Sequence, residues 1–203
     1  MSCHISKGKN KSVAFVFSCP GRYEQIAGHP AAKVTGTNLS KLLTKLNTSL
    51  NRNDLSKREI TITNAWNKVE YEKLTGRSEA KDSEILGSIN ISRLNGELKG
   101  ITEFIVCCGN KSKTAIEKCN ISENVTILYL EHLGTRGLNT IKQDVKKITI
   151  LSAEAQKKNG DKRSKRKIQL DNTSRRLDVV CEKLVKQLNK NITKKSSGQL
   201  KAS

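Results

Sequence analysis

VFSCPGRYEQIAGHPAAKVTGTNL, residues 16–39, contains both prolines of a 203-residue chain and three of its 13 glycines. Proline fixes φ and removes a donor, while glycine admits backbone shapes that other residues avoid, so together they specify a rigid, irregular loop. Such a loop is suited to holding a ligand. On its amino-terminal side, SVAFVF (residues 12–17) is a short β-prone apolar run that stops at Cys19-Pro20-Gly21, which reads as a buried strand feeding the loop. On its carboxyl-terminal side, Thr37 or Asn38 is placed to cap a helix that carries Leu39, Leu42, Leu43, Leu46 and Leu50 along one face.

The same alternation continues outward. Arg58–Ala65, Glu103–Cys108 (halted by Gly109) and Val125–Leu130 read as strands. Ser83–Leu98, Lys111–Cys119 and Leu138–Leu151 read as helices. Strands separated by helices predict an α/β fold, a three-layer sandwich with a mostly parallel four-stranded sheet flanked by helices. Ligands in such folds bind beyond the carboxyl ends of the strands, where the unusual loops of this chain fall. Residues 1–150 are expected to form this domain. Residues 151–203 differ in kind, with 15 Lys or Arg against 5 Asp or Glu. DKRSKRK (161–167) reads as a flexible basic connector, and Leu177, Val180, Cys181, Leu184, Val185 and Leu188 mark a terminal helix that docks on the core, with NITKKSSGQLKAS (191–203) fraying beyond it.

Charge narrows the partner. A net +19 over 22.5 kDa points to a polyanion, nucleic acid ahead of an acidic membrane surface, because Lys and Arg contacts to phosphates release counterions. No apolar run approaches the roughly 20 residues needed to span a bilayer, and the amino terminus lacks a signal-peptide core, so a cytoplasmic monomer without a membrane partner is expected. The six cysteines show no C-x-x-C pair and no zinc spacing with His4, His29 or His132, so reduced thiols and no metal are expected. The absence of G-x-x-x-x-G-K-[ST] and of a paired-acid magnesium site argues against a nucleotide hydrolase.

The four strand ends carry four polar clusters: Ser18-Cys19-Pro20-Gly21 with Tyr23 and Glu24, then Thr63-Asn64, Gly109-Asn110 and Glu131-His132. In this order and spacing the chain resembles the uracil-DNA glycosylase superfamily over about 130 residues, especially the branch whose thermophilic members carry an iron–sulfur cluster. The first motif there, G-E-A-P-G-x-x-E-D, is F-S-C-P-G-R-Y-E-Q here. The next, G-R-P-F-V-G-x-x-G, is G-H-P-A-A-K-V-T-G, aligned without a gap. The strands ending at Thr63-Asn64 and Gly109, and the late strand running into the His132 loop, complete the likeness. The resemblance implies a monofunctional glycosylase that flips a nucleotide out of DNA, duplex or single-stranded, and hydrolyses its N-glycosidic bond without a cofactor.

An amide can donate and accept along a Watson–Crick edge, so Asn64 is the candidate for reading the base, although closing its own corner by an Asx turn would also explain it. His132 falls where the resemblance puts the donor to the departing base. Cys19, Pro20, Gly21, Tyr23 and Ala31 are the remaining candidates around the base. The departures carry further information. The first-motif acid of the resemblance falls on Ser18, which can hold a water but cannot take its proton at neutral pH, leaving Glu24 as the candidate base. The stacking aromatic falls on Ala31, which either shifts stacking to Tyr23 or opens room for a bulky base, such as a sugar-decorated cytosine of phage DNA. The cluster cysteines are absent, so an iron-free protein is expected. Arg22, Lys33, Lys111, Lys113 and Arg136 flank the four motifs and are candidates for phosphate contacts, with Ser112 at a helix start. The alternative reading is a catalytically silent nucleic-acid-binding module on the same fold.

Overall fold

A strand of five apolar residues with no polar face has to be covered on both sides, which places it in the middle of a sheet. The computed structural model describes the backbone of residues 2–199 and the side chains of residues 2–191, and it builds the fold around that strand. In chain order the elements are β1 (Val13–Phe17), α1 (Arg22–Ala27), α2 (Lys33–Ser49), β2 (Thr61–Asn64), α3 (Glu72–Thr75), α4 (Asp82–Ile85), α5 (Ser88–Leu98), β3 (Phe104–Cys108), α6 (Asn110–Ile116), β4 (Thr126–Leu130), α7 (Thr135–Leu138), α8 (Ala153–Lys158) and α9 (Lys165–Gln199). The four strands are all parallel in the order β2-β1-β3-β4. Phe17 is in register with Asn64, and Cys108 with Leu130, so the carboxyl ends lie along one edge.

Alternate residues of β1 divide the interior into two cores, as the period of a strand requires. Val13, Phe15 and Phe17 face Leu39, Leu42, Leu43 and Leu46 of α2 and Leu177, Val180, Cys181 and Leu184 of α9. Ala14 and Val16 face Ile85, Leu94 and Leu98 beside α4 and α5, and Ala115 and Ile116 of α6. Each fully buried leucine contributes about 1.5–3 kcal/mol, so both helical layers are held chiefly by these stripes. The expected sandwich is therefore present, with helices on both faces of the sheet.

Both sheet edges are closed by unusual partners. On the β2 side Ser6 pairs antiparallel with Ile62, exchanging two backbone bonds of 2.8 and 2.9 Å. On the β4 side a side chain stands in for a strand: Gln187 of α9 accepts from Tyr129 N (2.9 Å) and donates to Tyr129 O (2.8 Å). Edge groups left open would invite pairing with another chain.

Three local expectations are corrected. Helix α2 begins at Lys33, ahead of Thr37 and Asn38, so neither caps it. Asn38 is instead buried and donates to Leu133 O at 2.8 Å. Residues 138–151 do not form a helix. After α7 the chain makes a tight excursion closed by a Gln143–Thr149 bridge, because Asp144 Oδ1 captures the amides of Lys146 and Ile148 (both 2.9 Å) and Arg175 pairs with its other oxygen at 2.7 Å. An aspartate that satisfies nearby amides competes directly with helix formation. The basic connector is also more ordered than a linker: Ser152 caps α8, accepting from Ala155 N at 3.1 Å, and Arg163 pairs with Asp161 at 2.7 Å. Helix α9 continues through Gln199, past the expected start of fraying at Asn191, while residues 200–203 of that stretch lie outside the described residues. Among the described residues no helix is long and apolar enough to cross a membrane.

Candidate functional site

A cavity of about 450 Å³ opens at the carboxyl ends of β1 and β2, between the proline loop and the His132 loop. Its volume lies in the range of about 300–1,000 Å³ usual for small-molecule sites. The walls include Ser18, Cys19, Gly21, Glu24, Ala31, Asn64, His132 and Arg136, together with Phe17, Thr35, Glu70, Ser78, Glu79 and Gly137. Residues far apart in sequence, the proline loop, the β2 end and the His132 loop, are thus brought to one place.

The proline loop is held open by its own acid. Glu24 Oε2 accepts from Gly21 N at 3.1 Å, making a capping box at the start of α1, while Oε1 accepts from Ala32 N at 3.0 Å. Ala31 and Lys33, on either side of that anchored amide, adopt φ of 49° and 43°, left-handed conformations that non-glycine residues adopt only under constraint. Glu24 therefore works as a staple, each oxygen held by one backbone amide, a structural role that the sequence reading of it as water-activating base did not foresee. Pro20 is buried behind the wall, its carbonyl accepting from Glu70 N at 2.9 Å.

Asn64 is 2% exposed, and its Nδ2 donates to His4 O at 3.0 Å. The carbonyl partner identifies Nδ2 as the donor end of the amide and so fixes its orientation. Behind it, Arg93 donates to the Asn64 carbonyl at 3.0 Å and pairs with Glu97, which also accepts from Thr63 and meets His4 Nε2 at 3.0 Å. This network, with the Ser6–Ile62 bridge, makes the amino-terminal segment a strap behind the amide. The Asx turn is not the role of this side chain.

His132 is defined just as closely. Gly134 N donates to its Nδ1 at 3.0 Å, which leaves the ring proton on Nε2. Burial pulls its pKa below the ordinary histidine value, against the opposing pull of the Glu79 and Glu24 carboxylates, so the ring is neutral at pH 7. Phe17 meets the ring edge-on, with centroids 5.7 Å apart and planes at 74°. Gly109, with φ of 100°, ends β3 next to the His132 Cβ. The site therefore presents a neutral imidazole N–H, an oriented amide and a hydroxyl, a set that can hydrogen-bond a flat polar ring. Cys19 is not a nucleophile: burial first, and the Glu79 carboxylate second, push its thiol up to about 12.

Of the other sequence candidates, Arg136 lies on the cavity wall and the rest stand outside it. Tyr23 lies half-exposed, with Lys33 Nζ 3.8 Å over its ring. On α1 it sits roughly 100° around from Glu24, which lines the cavity, and Tyr23 itself is not part of the wall. Ser112 is fully buried and donates to Gly109 O at 2.7 Å, closing the first turn of α6, which removes it as a phosphate contact. Lys111 is held by Asp82 at 2.7 Å, and Lys113 lies 3.8 Å from Glu117 and over the Tyr129 ring. Arg22, Lys33 and Arg136 are exposed and make no ion pair among the described residues.

Sequence reasoning missed the 70–79 segment. Glu70 is buried beneath Arg77 and Trp66, and Arg77 above all holds its carboxyl down at about 2. Glu79, by contrast, is exposed on the cavity wall and makes no hydrogen bond or ion pair among the described residues. The only early sign was three glutamates, Glu70, Glu72 and Glu79, in a stretch without hydrophobic period. Among the described residues no three His, Cys, Asp or Glu side chains are placed to hold a metal ion. No family model matches the chain, and no curated protein matches it.

Proposed function

We propose that the protein is a monofunctional DNA glycosylase, a cytoplasmic hydrolase that draws a damaged or modified pyrimidine out of DNA and cleaves its N-glycosidic bond to leave an abasic site. The single observation that carries this reading is the convergence of the Asn64 amide, the Ser18 hydroxyl and the neutral His132 imidazole on one cavity at the strand ends. Asn64 reads the base edge, its amide held by the amino-terminal strap. His132 Nε2–H meets the negative charge that grows on the departing base, a role that suits a ring kept neutral by burial. Ser18 positions the water. Arg136 on the cavity wall and the exposed Arg22 and Lys33, none of them in an ion pair among the described residues, meet the phosphates.

The lining of the cavity favours a base larger than uracil. Ala31 contributes no ring, Tyr23 is not among the lining residues, and Phe17, which is, meets His132 edge-on. Without a stacking face, a plain pyrimidine forgoes roughly 1–3 kcal/mol of contact, which a decorated base recovers by filling the volume. The substrate class that fits is a bulky hypermodified cytosine, as in phage DNA, and the role that follows is restriction of foreign DNA.

The test is incubation with matched oligonucleotides carrying uracil, a thymine mismatch, hydroxymethylcytosine or its glucosylated form, followed by alkaline cleavage. Abasic sites from the decorated base, lost in Asn64→Ala and His132→Ala, are the expected result. Gel shifts without abasic sites on any substrate would establish a binding module in place of an enzyme. Efficient release of uracil alone would overturn the bulky-base reading.

A further inference from the structure

Resting on the glycosylase reading, we infer that Glu79 is the carboxylate that accepts the proton of the attacking water. Elimination among the acids of the cavity leads there. Ser18 has no basicity at neutral pH. Glu24 spends both oxygens on the amides of Gly21 and Ala32, which hold the strained loop in place. Glu70 is locked beneath Arg77, with bonds of 2.8 and 2.6 Å to the guanidinium and one of 3.1 Å from Trp66 Nε1, and a carboxyl held at about 2 is a feeble proton acceptor. Glu79 alone lines the same wall with no hydrogen bond or salt bridge among the described residues. Its charge is felt at both Cys19 and His132, the two sides between which a flipped nucleotide would lie.

Electrostatics give an independent reason to look for a function here. A free carboxylate beside a site for a polyanion weakens binding, and a +19 chain has no shortage of lysine to put in its place. What a carboxylate supplies is attraction for the positive charge that grows on the sugar, together with a base for water. In the step itself, the C1′–N bond breaks and its electron pair leaves with the base, which accepts a hydrogen bond from His132 Nε2–H. Water oxygen forms the new C1′–O bond, and the proton it sheds passes to Glu79 and on to solvent, from which the free base is protonated. Atoms and charge balance with water as the only co-reactant.

The experiment compares Glu79→Gln, Glu79→Asp and the wild type in single-turnover cleavage, in binding to an abasic duplex and in thermal melting. Loss of a positioned base predicts at least a 100-fold lower rate for Glu79→Gln. Binding should be unchanged or tighter, because a negative charge has been removed, and the melting temperature should be unchanged. Glu79→Asp should recover part of the rate. A Glu79→Gln rate within threefold of wild type overturns the inference, as does a loss that runs parallel to weaker binding and earlier melting. If the wild-type protein makes no abasic site on any substrate of the panel, the glycosylase reading fails and takes this inference with it. Activity that survives Glu79→Gln would sink the inference alone.

Discussion

Gly137→Ala is a small change that should disable the site without removing any polar group from it. A Cβ at position 137 would sit 2.0 Å from His132 O, 2.8 Å from its carbonyl carbon and 2.9 Å from its Cβ, whereas real Cβ contacts essentially never fall below 3.0 Å. Backbone cannot swing aside as a side-chain tip can, so the His132 loop or α7 has to move by about 1 Å. A displacement of that size in a positioned catalytic group costs about 100-fold, or about 2.7 kcal/mol of barrier. Overpacking adds about 1–3 kcal/mol of destabilisation, which for a chain of this size lowers the melting temperature by about 2–12 °C. The assay is single-turnover excision beside thermal melting and the imidazole resonances of His132. Full excision by a Gly137→Ala protein with unmoved imidazole signals would refute the claim that close approach at residue 137 sets the position of His132.

Three further outcomes follow from the same geometry. The Glu70 carboxyl is lowered from 4.5 to about 2 by Arg77, so its stabilisation is present above pH 4.5 and lost as pH falls toward 2; the stability gap between wild type and Glu70→Gln in urea melts should close over that window. Gln187→Ala leaves the N–H and C=O of Tyr129 unpaired at the β4 edge, each worth roughly 1–3 kcal/mol if it stays dry, and should lower the melting temperature and raise light scattering at high concentration. Arg136→Ala should reduce the salt slope of DNA affinity by about 0.9 on duplex or about 0.7 on single strands, while Lys111→Ala, whose ammonium is already held by Asp82, should leave the slope unchanged.

The sheet was legible because β1 has no polar face and because each later strand ends at a glycine or polar pair, signals that depend only on neighbouring residues. Asn64 and His132 were legible through their place at strand ends. What failed depends on side chains that reach across the chain. Asp144 unmade a helix by capturing two amides and Arg175, and no periodicity records such a capture. Asn38 looked like a cap because of its residue type, yet its amide was committed to Leu133 O, 95 residues away. Glu24 matched a motif position, but the two amides that occupy it become visible only once the loop closes. Glu79 belonged to no motif and sits in a segment without period, so only the fold could bring it to the cavity.

The charge of the molecule is sorted between its surface and its cavity. The chain as a whole is +19, and long-range attraction of that size draws a polyanion from any direction. The cavity wall carries the opposite sign: Glu24, Glu70 and Glu79 against Arg136, with His132 kept neutral by burial. A phosphate entering would meet carboxylates in a partly desolvated space, where they repel more strongly than in water. On the proposed glycosylase reading, the exposed cations would hold the backbone at the rim, and the interior would admit an uncharged ring while favouring the positive charge that appears on its sugar as the bond breaks. A lysine introduced at position 79 would remove that sorting. It should tighten binding to any DNA while abolishing excision, and faster excision by Glu79→Lys would show that the interior sign has no bearing on the chemistry.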